Sequence, residues 1–199
     1  MVIRPADPIH DAQAVAGLIY DTDPYLFPFL FGRRQAALPV LQQLFQLEGN
    51  SFSHRHVQVA EDGGDVAGML IGYVPQDINK EAEATDFRRV LDFWQQLLLR
   101  PKFWLLEPFL DKSEIDGRYI QNVCVAPAHR GKGIGSGLIR HFCSMSQDTV
   151  WLDVEMGNKA NRAMYEHMGF RVVREIPIFL PGLGSIRMAR QSEQGRALL

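Results

Sequence analysis

Cys124 and Cys143 are the only cysteines among the 199 residues. Two are too few for a disulfide framework, and they read as small core residues in a reducing compartment. No apolar run approaches the ~18 residues that a membrane-spanning helix needs. The opening M-V-I-R-P-A-D has no basic stretch followed by an apolar run, so it is not a secretory signal. A cytoplasmic location is expected. The formal charge is only −2, which excludes the basic footprint of non-specific nucleic-acid binding. His54 and His56 form an H-x-H pair without further ligands nearby, so they read as surface histidines and no metal is expected. No internal repeat occurs. The phosphate-loop pattern G-x-x-x-x-G-K-[ST] is absent. G-x-G-x-x-G also fails, because Ser136 and Leu138 stand at its last position when counted from Gly131 and Gly133.

What is present centres on Tyr119 to Gly137, Y-I-Q-N-V-C-V-A-P-A-H-R-G-K-G-I-G-S-G. Tyr119 to Val125 is rich in apolar and β-branched residues, a buried-strand pattern that Pro127 ends. Arg130 to Gly135 follow, and then Leu138, Ile139, Phe142 and Met145 recur at helical spacing. A strand therefore runs through a glycine-rich turn into a helix N-terminus. The first turn of a helix carries unpaired N–H groups and a partial positive charge, and glycine lets an oxygen approach the backbone closely. Arg130 and Lys132 add positive charge. These features describe a pyrophosphate cradle.

The length and a 46% hydrophobic content predict one folded domain over 1–199. Val2 to Ala6 reads as an edge strand. A helix follows, capped by Asp7 or Asp11 and carrying Ala14, Val15, Leu18 and Ile19. D-T-D-P-Y-L-F-P-F-L-F-G, with Tyr25, Phe27, Phe29 and Phe31 close together, reads as a core-packing connector; the functional alternative is one wall of an acceptor pocket, with Asp21 or Asp23 attracting a cationic amine. Ala36 to Leu47 is a second helix. His56 to Glu61 and Val66 to Val74 are strands joined by a hairpin turn at E-D-G-G-D. About residues 75–117 form a helical insert whose apolar stripe runs through Phe87, Leu91, Trp94 and Leu98, to be covered by the protein's own sheet or by a second copy in a homodimer. Val150 to Met156 is a strand with Trp151, Asp153 and Glu155 on one face and Leu152 and Val154 on the other. A helix then ends at Gly169. Strands at Arg171 to Ile176 and Ser185 to Arg190 flank P-G-L-G, and a polar tail, 191–199, closes the chain.

The pattern V-x-P-x-x-R-G-x-G-x-G, with Arg130, Gly133 and Gly135 at its core, resembles motif A of the GNAT family of N-acetyltransferases. Asn158, Tyr165, Gly169 and Phe170 match that family's motif B at the same offsets. The resemblance covers about the last third of the chain well; the first half agrees in element order. It implies a mixed, mostly antiparallel sheet of about seven strands with flanking helices, the insert lying between strands 3 and 4. It implies acetyl-CoA as co-substrate, bound by the backbone of Val123 and Val125, by Arg130, Gly131, Lys132, Gly133, Ile134, Gly135 and Ser136, and by Asn158. The acceptor it implies is a primary amine on a peptide or small molecule, attacking directly in a ternary complex. From the charge and the lack of a long apolar run, no nucleic-acid or membrane partner is expected.

An alkylammonium has a pKa of about 10.4 and an α-amino group about 8, so a base must remove a proton before attack. In relatives that acetylate protein N-termini, an acid at the offset of Asp153 resembles that base; Glu155 projects from the same face. The common alternative, an acid in the cradle strand, is missing, for Gln121 and Asn122 stand there. Tyr165 sits where the family places the phenol that protonates the departing thiolate. The rival reading is a non-catalytic acyl-CoA-binding module on the same fold.

Overall fold

A computed structural model describes residues 1–177 and 184–191. Its strands are β1 (Val2–Pro5), β2 (Val57–Asp62), β3 (Asp65–Tyr73), β4 (Arg118–Val125), β5 (Val150–Glu155), β6 (Arg171–Pro177) and β7 (Gly184–Arg190). They make one sheet in the order β1-β2-β3-β4-β5-β7-β6. Only β4 and β5 pair in parallel, as a strand–helix–strand crossover requires; the other neighbours are antiparallel. This is the mixed, mostly antiparallel sheet expected. Residues 181–183 of the P-G-L-G turn and residues 192–199 of the polar tail lie outside the described residues.

The helices are α1 (Ala12–Asp21), α2 (Leu26–Phe31), α3 (Arg34–Gln46), α4 (Lys80–Val90), α5 (Phe93–Leu110), α6 (Ile134–Ser144) and α7 (Lys159–His167). One face of the sheet packs α6 and α7 through Leu70, Ile120, Leu152 and Val154 against Leu138, Phe142 and Tyr165. The other packs α1 and α3 through Val59, Met69, Ile71 and Cys124 against Val15, Ile19, Leu41 and Phe45. The period-two alternation of β3 separates the layers, with Leu70 on the first face and Met69 and Ile71 on the second. α6 lies close on β3 because Gly72 has no side chain: a Cβ there would come within 2.4 Å of the Phe142 ring. β6, the exposed edge strand, has a register irregularity between Val172 and Arg174, a device that discourages pairing with another edge.

Several local expectations are corrected. Asp11 does begin α1, but its side chain makes no cap bond; it is buried and taken by Arg4 at 2.6 Å and by the Asp7 N–H at 2.7 Å. The aromatic connector contains α2, a short helix with Pro28 inside. The histidine pair is half-buried rather than on the surface: His54 Nδ1 lies 3.2 Å from the Phe45 carbonyl, and His56 packs on Tyr73 with ring centroids 5.5 Å apart. Burial pushes the His56 pKa below its ordinary value. Cys124 and Cys143 are both free thiols.

The insert is two helices, broken at Leu91 and Asp92, and it packs on α2 and α3 rather than on the sheet. Asn79 caps α4 by accepting from the Glu81 and Ala82 N–H groups. Asp86, buried, accepts from the Gly49 N–H at 2.8 Å and from Asn50 Nδ2 at 3.0 Å; Glu83 accepts from the N–H and hydroxyl of Ser51. The predicted stripe divides at the break. Leu91 is buried and Phe87 packs beside it, together with Leu99, Phe103, Leu30, Val40 and Leu44. Trp94 and Leu98 face outward.

Candidate active site

The β4–β5 ladder is short. Arg118, Tyr119 and Ile120 pair with Val150, Trp151 and Leu152, and pairing then stops. Beyond Ile120 the strands separate. On its other edge β4 remains paired with β3 as far as Val125, with Gln121 as an extra residue between the Ile71–Asn122 and Gly72–Ile120 pairs. The Ala126 N–H donates to Ala67 of β3 at 2.9 Å. By strand alternation the backbone groups of Val123 and Val125 point away from β3, into the gap. The Val125 carbonyl accepts from Arg130 Nε at 3.2 Å, as that direction requires. The gap is thus lined by strand backbone that lacks a strand partner.

The cradle adjoins this gap. A 3₁₀ turn, Pro127–His129, leads into Arg130, and α6 starts from Gly133. Gly131 and Gly133 adopt φ of 77° and 75°, the left-handed region that costs a side-chain residue roughly 1–2 kcal/mol. A Cβ on either would meet no protein atom within 4 Å. The backbone therefore curls around open space at the start of an 11-residue helix with no acidic residue in its first turn. The N–H groups of Ile134, Gly135 and Ser136 belong to that turn, where intrahelical partners are missing. Lys132 Nζ stands 3.7 Å from Asp62 Oδ2, an exposed pair at the cradle rim. Donor set, helix dipole and open space fit a pyrophosphate.

Asn158 caps α7, its side chain accepting from the Asn161 N–H at 3.1 Å. Tyr165 lies on the α7 face towards the sheet, its ring 5.9 Å from that of Phe170. Burial raises the pKa of its phenol, and among the described residues its hydroxyl makes no hydrogen bond.

Asp153 stands on the opposite face of β5 from the residues that pack Tyr165. It is directly across from Arg187 of β7 and receives Nε at 2.9 Å and Nη2 at 3.1 Å. Lys112, just after α5, reaches the same carboxylate at 2.5 Å, and the Tyr119 hydroxyl lies 3.3 Å away. All four side chains are largely buried. Burial pushes the Asp153 carboxyl up, but hydrogen bonds from Arg187 and Lys112 and their charges outweigh it, and the net shift is down. Burial lowers the Lys112 pKa, and Asp153 offsets only part of this. Tyr73 packs edge-on to Tyr119 and donates to Gln121 Oε1 at 2.5 Å. Asn122 donates to Thr22 Oγ1 at 2.9 Å. Glu155, two residues beyond Asp153 on the same face, is exposed and has no side-chain partner among the described residues.

Sequence reasoning missed Lys112, Arg187, Tyr119 and Tyr73. Arg187 had a signal, a cation between the apolar Ile186 and Met188 in an expected strand. Lys112 had none, for its partner lies 41 positions away. Of the residues read as an acceptor wall, Asp21 pairs with Arg34, and Asp23 accepts from the Tyr25 and Leu26 N–H groups; Tyr25 projects into solvent. Turn chemistry thus accounts for Asp23.

Three known proteins are similar to this one over part or all of the chain. Streptothricin acetyltransferase of Streptomyces lavendulae is 40% identical over 55 residues, 26% of this chain and 29% of that protein. The chain thus matches under a third of the length of its curated relative. An N-acetyltransferase from Staphylococcus aureus Mu50 superposes with a TM-score of 0.75 at 21% identity, over 95% of this chain and all of that one. A structure of the NatC complex bound to Gag peptide and CoA superposes with a TM-score of 0.52 at 15% identity, over 96% of this chain and 97% of that one. The last two establish the shared fold. The cradle, the interrupted β4–β5 ladder and the capped α7 all fall within residues 20–170, the stretch that matches the acetyltransferase (GNAT) family profile, and the chain belongs to that family.

Proposed function

We propose that this protein, as a single domain spanning 1–199, transfers an acetyl group from acetyl-CoA to a primary amine of a peptide or small molecule, by direct attack in a ternary complex. The observation that carries this reading is the gap between β4 and β5, which opens beside the cradle with Val123 and Val125 turning their backbone groups into it. Acetyl-CoA supplies an activated thioester. Gly131, Lys132, Gly133, Ile134, Gly135 and Ser136, with Arg130, hold its pyrophosphate; Val123 and Val125 hold the amides of its arm; Asn158 caps the helix that borders the arm. A backbone N–H of β4 steadies the negative charge that develops on the acyl oxygen.

Tyr165 gives its proton to the sulfur. Its raised pKa keeps the phenol protonated at neutral pH, as a donor must be. The base lies on the Asp153–Glu155 face of β5. Asp153 is engaged by two cations and has a lowered pKa, so its affinity for a proton is weak. Glu155, exposed and without such partners among the described residues, is the carboxylate left to meet an incoming amine, with Asp153 orienting the acceptor face through Tyr119 and Lys112. The proposed setting is the cytoplasm, which suits the free thiols of Cys124 and Cys143; among the described residues no helix is long and apolar enough to cross a membrane. The test is an acceptor screen with acetyl-CoA, reading free-thiol release. Amine-dependent release is expected. Tight CoA binding with no release from any peptide, polyamine or aminoglycoside-type amine would favour the acyl-CoA-binding module.

A further inference from the structure

Among the described residues nothing covers the outer face of α5. Its inner face places Leu99, 4% exposed, with Phe103 and Leu106 against α2, α3 and α4. On the other side Phe93, Trp94, Leu97, Leu98, Trp104 and Leu105 project into solvent, with Trp94 at 69% and Trp104 at 77% exposure. A helix that is apolar on both sides is a buried helix with one covering absent.

The spacing of this stripe indicates what fits over it. Trp94, Leu98, Pro101 and Leu105 are separated by 4, 3 and 4 residues. That is the 3.5-residue repeat of a seam facing another helix. A helix of 18 residues is about 27 Å long, so the seam runs almost its full length. The Trp94–Leu98–Pro101–Leu105 row carries no charge, and Arg100, exposed between Leu97 and Trp104, marks the edge of the stripe. The bulky side chains lie at its two ends, at 93–94 and 104–105, with Leu97, Leu98 and Pro101 between them. A two-fold axis near Leu99 therefore sets one end of the stripe against the other end of an identical stripe, the isologous arrangement in which one surface serves both partners.

The area is of the right order. Aromatic side chains present roughly 150–250 Å² each, so Phe93, Trp94 and Trp104 alone leave roughly 400 Å² uncovered. Leu97, Leu98 and Leu105 are each at least half exposed, and Phe29 of α2, held to α5 through Lys102 Nζ at 2.6 Å from its carbonyl, extends the patch. The sum exceeds what a monomer commonly exposes, about 300–600 Å², and approaches the ~800 Å² that each partner contributes to a stable interface.

We propose that the protein is a homodimer in solution, with α5 of one copy packed antiparallel on α5 of the other. The proposal stands apart from the acetyl-transfer reading. Sedimentation of the full chain at micromolar concentration tests it. The wild type is expected at twice its 22.6 kDa mass. Leu98→Glu and Trp104→Glu, both at exposed positions, are expected at the single-chain mass, with unchanged circular dichroism and unchanged CoA affinity. A wild type that sediments at 22.6 kDa overturns the proposal, whether or not it floats with phosphatidylcholine–phosphatidylglycerol vesicles. A dimer that survives both substitutions overturns it too, by placing the interface elsewhere.

Discussion

Arg187 of β7 and Asp153 of β5 face each other in register across the sheet and share two hydrogen bonds, at 2.9 and 3.1 Å. Lys112 adds a third at 2.5 Å, so one buried carboxylate balances two buried cations. Removing that carboxylate takes from Arg187 and Lys112 a buried counter-charge they share. Asp153→Asn keeps the shape and deletes the charge, and is expected to cost about 3–5 kcal/mol of unfolding free energy, the range for breaking a buried ion pair. Urea denaturation measures this. A loss under 1 kcal/mol would mean that water reaches the cluster and screens it, as at exposed pairs.

The same cluster sets an acid limit. The folded-state pKa of Asp153 lies below its ordinary value, while the unfolded chain titrates near 3.9. A depressed carboxyl contributes stability in full well above the unfolded pKa, and loses it as pH falls through the folded pKa. Wild-type stability is therefore expected to decline below about pH 5. Asp153→Asn is expected to decline less steeply over that interval. Denaturation midpoints across pH 3–6 for both proteins supply the comparison; parallel curves would show that Asp153 titrates alike in both states.

Much of this architecture is legible in the residues themselves. Period-two alternation in V-W-L-D-V-E gave both faces of β5, and motif spacing located the cradle and α7. Those signals are local. What stayed hidden is set by distant partners. Nothing near Asp153 indicates that Lys112 and Arg187 will occupy it, and so the residue read as a base has a structural engagement. Nothing near Asp11 shows that Arg4 will draw it away from capping. The insert misled for another reason. Phe87, Leu91, Trp94 and Leu98 keep one helical phase, but a break at Leu91 and Asp92 turns the phase, so a single predicted stripe becomes one buried face and one exposed face.

Gly133 separates cofactor binding from folding. Its φ of 75° makes any side chain strained, yet a Cβ there would touch no protein atom. Gly133→Glu is expected to leave a folded protein, destabilised by roughly 1–2 kcal/mol, while its carboxylate stands where the pyrophosphate is proposed to lie. CoA affinity should fall by at least two orders of magnitude, since an anion then faces an anion. Calorimetric titration with CoA decides it. Retained affinity in a folded variant would place the cofactor elsewhere.

Tyr165 and Glu155 carry the proposed proton transfers, and the structure offers a way to tell chemistry from packing. The Tyr165 hydroxyl makes no hydrogen bond among the described residues, so Tyr165→Phe breaks none there and keeps the ring against Phe170. Thermal stability and CoA affinity are expected to stay as in the wild type. Turnover is expected to fall by roughly 10²–10⁴, the usual contribution of a positioned acid. Full activity would reduce Tyr165 to a packing residue. Glu155→Gln tests the other half. If Glu155 takes the amine proton, its loss should lower the rate most when the amine is charged. Raising the pH towards the amine's own pKa, about 8 for an α-amine and about 10.4 for an alkylamine, should restore part of the rate. Asp153→Asn is the control: with its carboxylate already committed to Arg187 and Lys112, it should lower activity without changing the pH profile. If Asp153→Asn alone shows the alkaline recovery, Asp153 is the base, and its cations must give way when the acceptor binds.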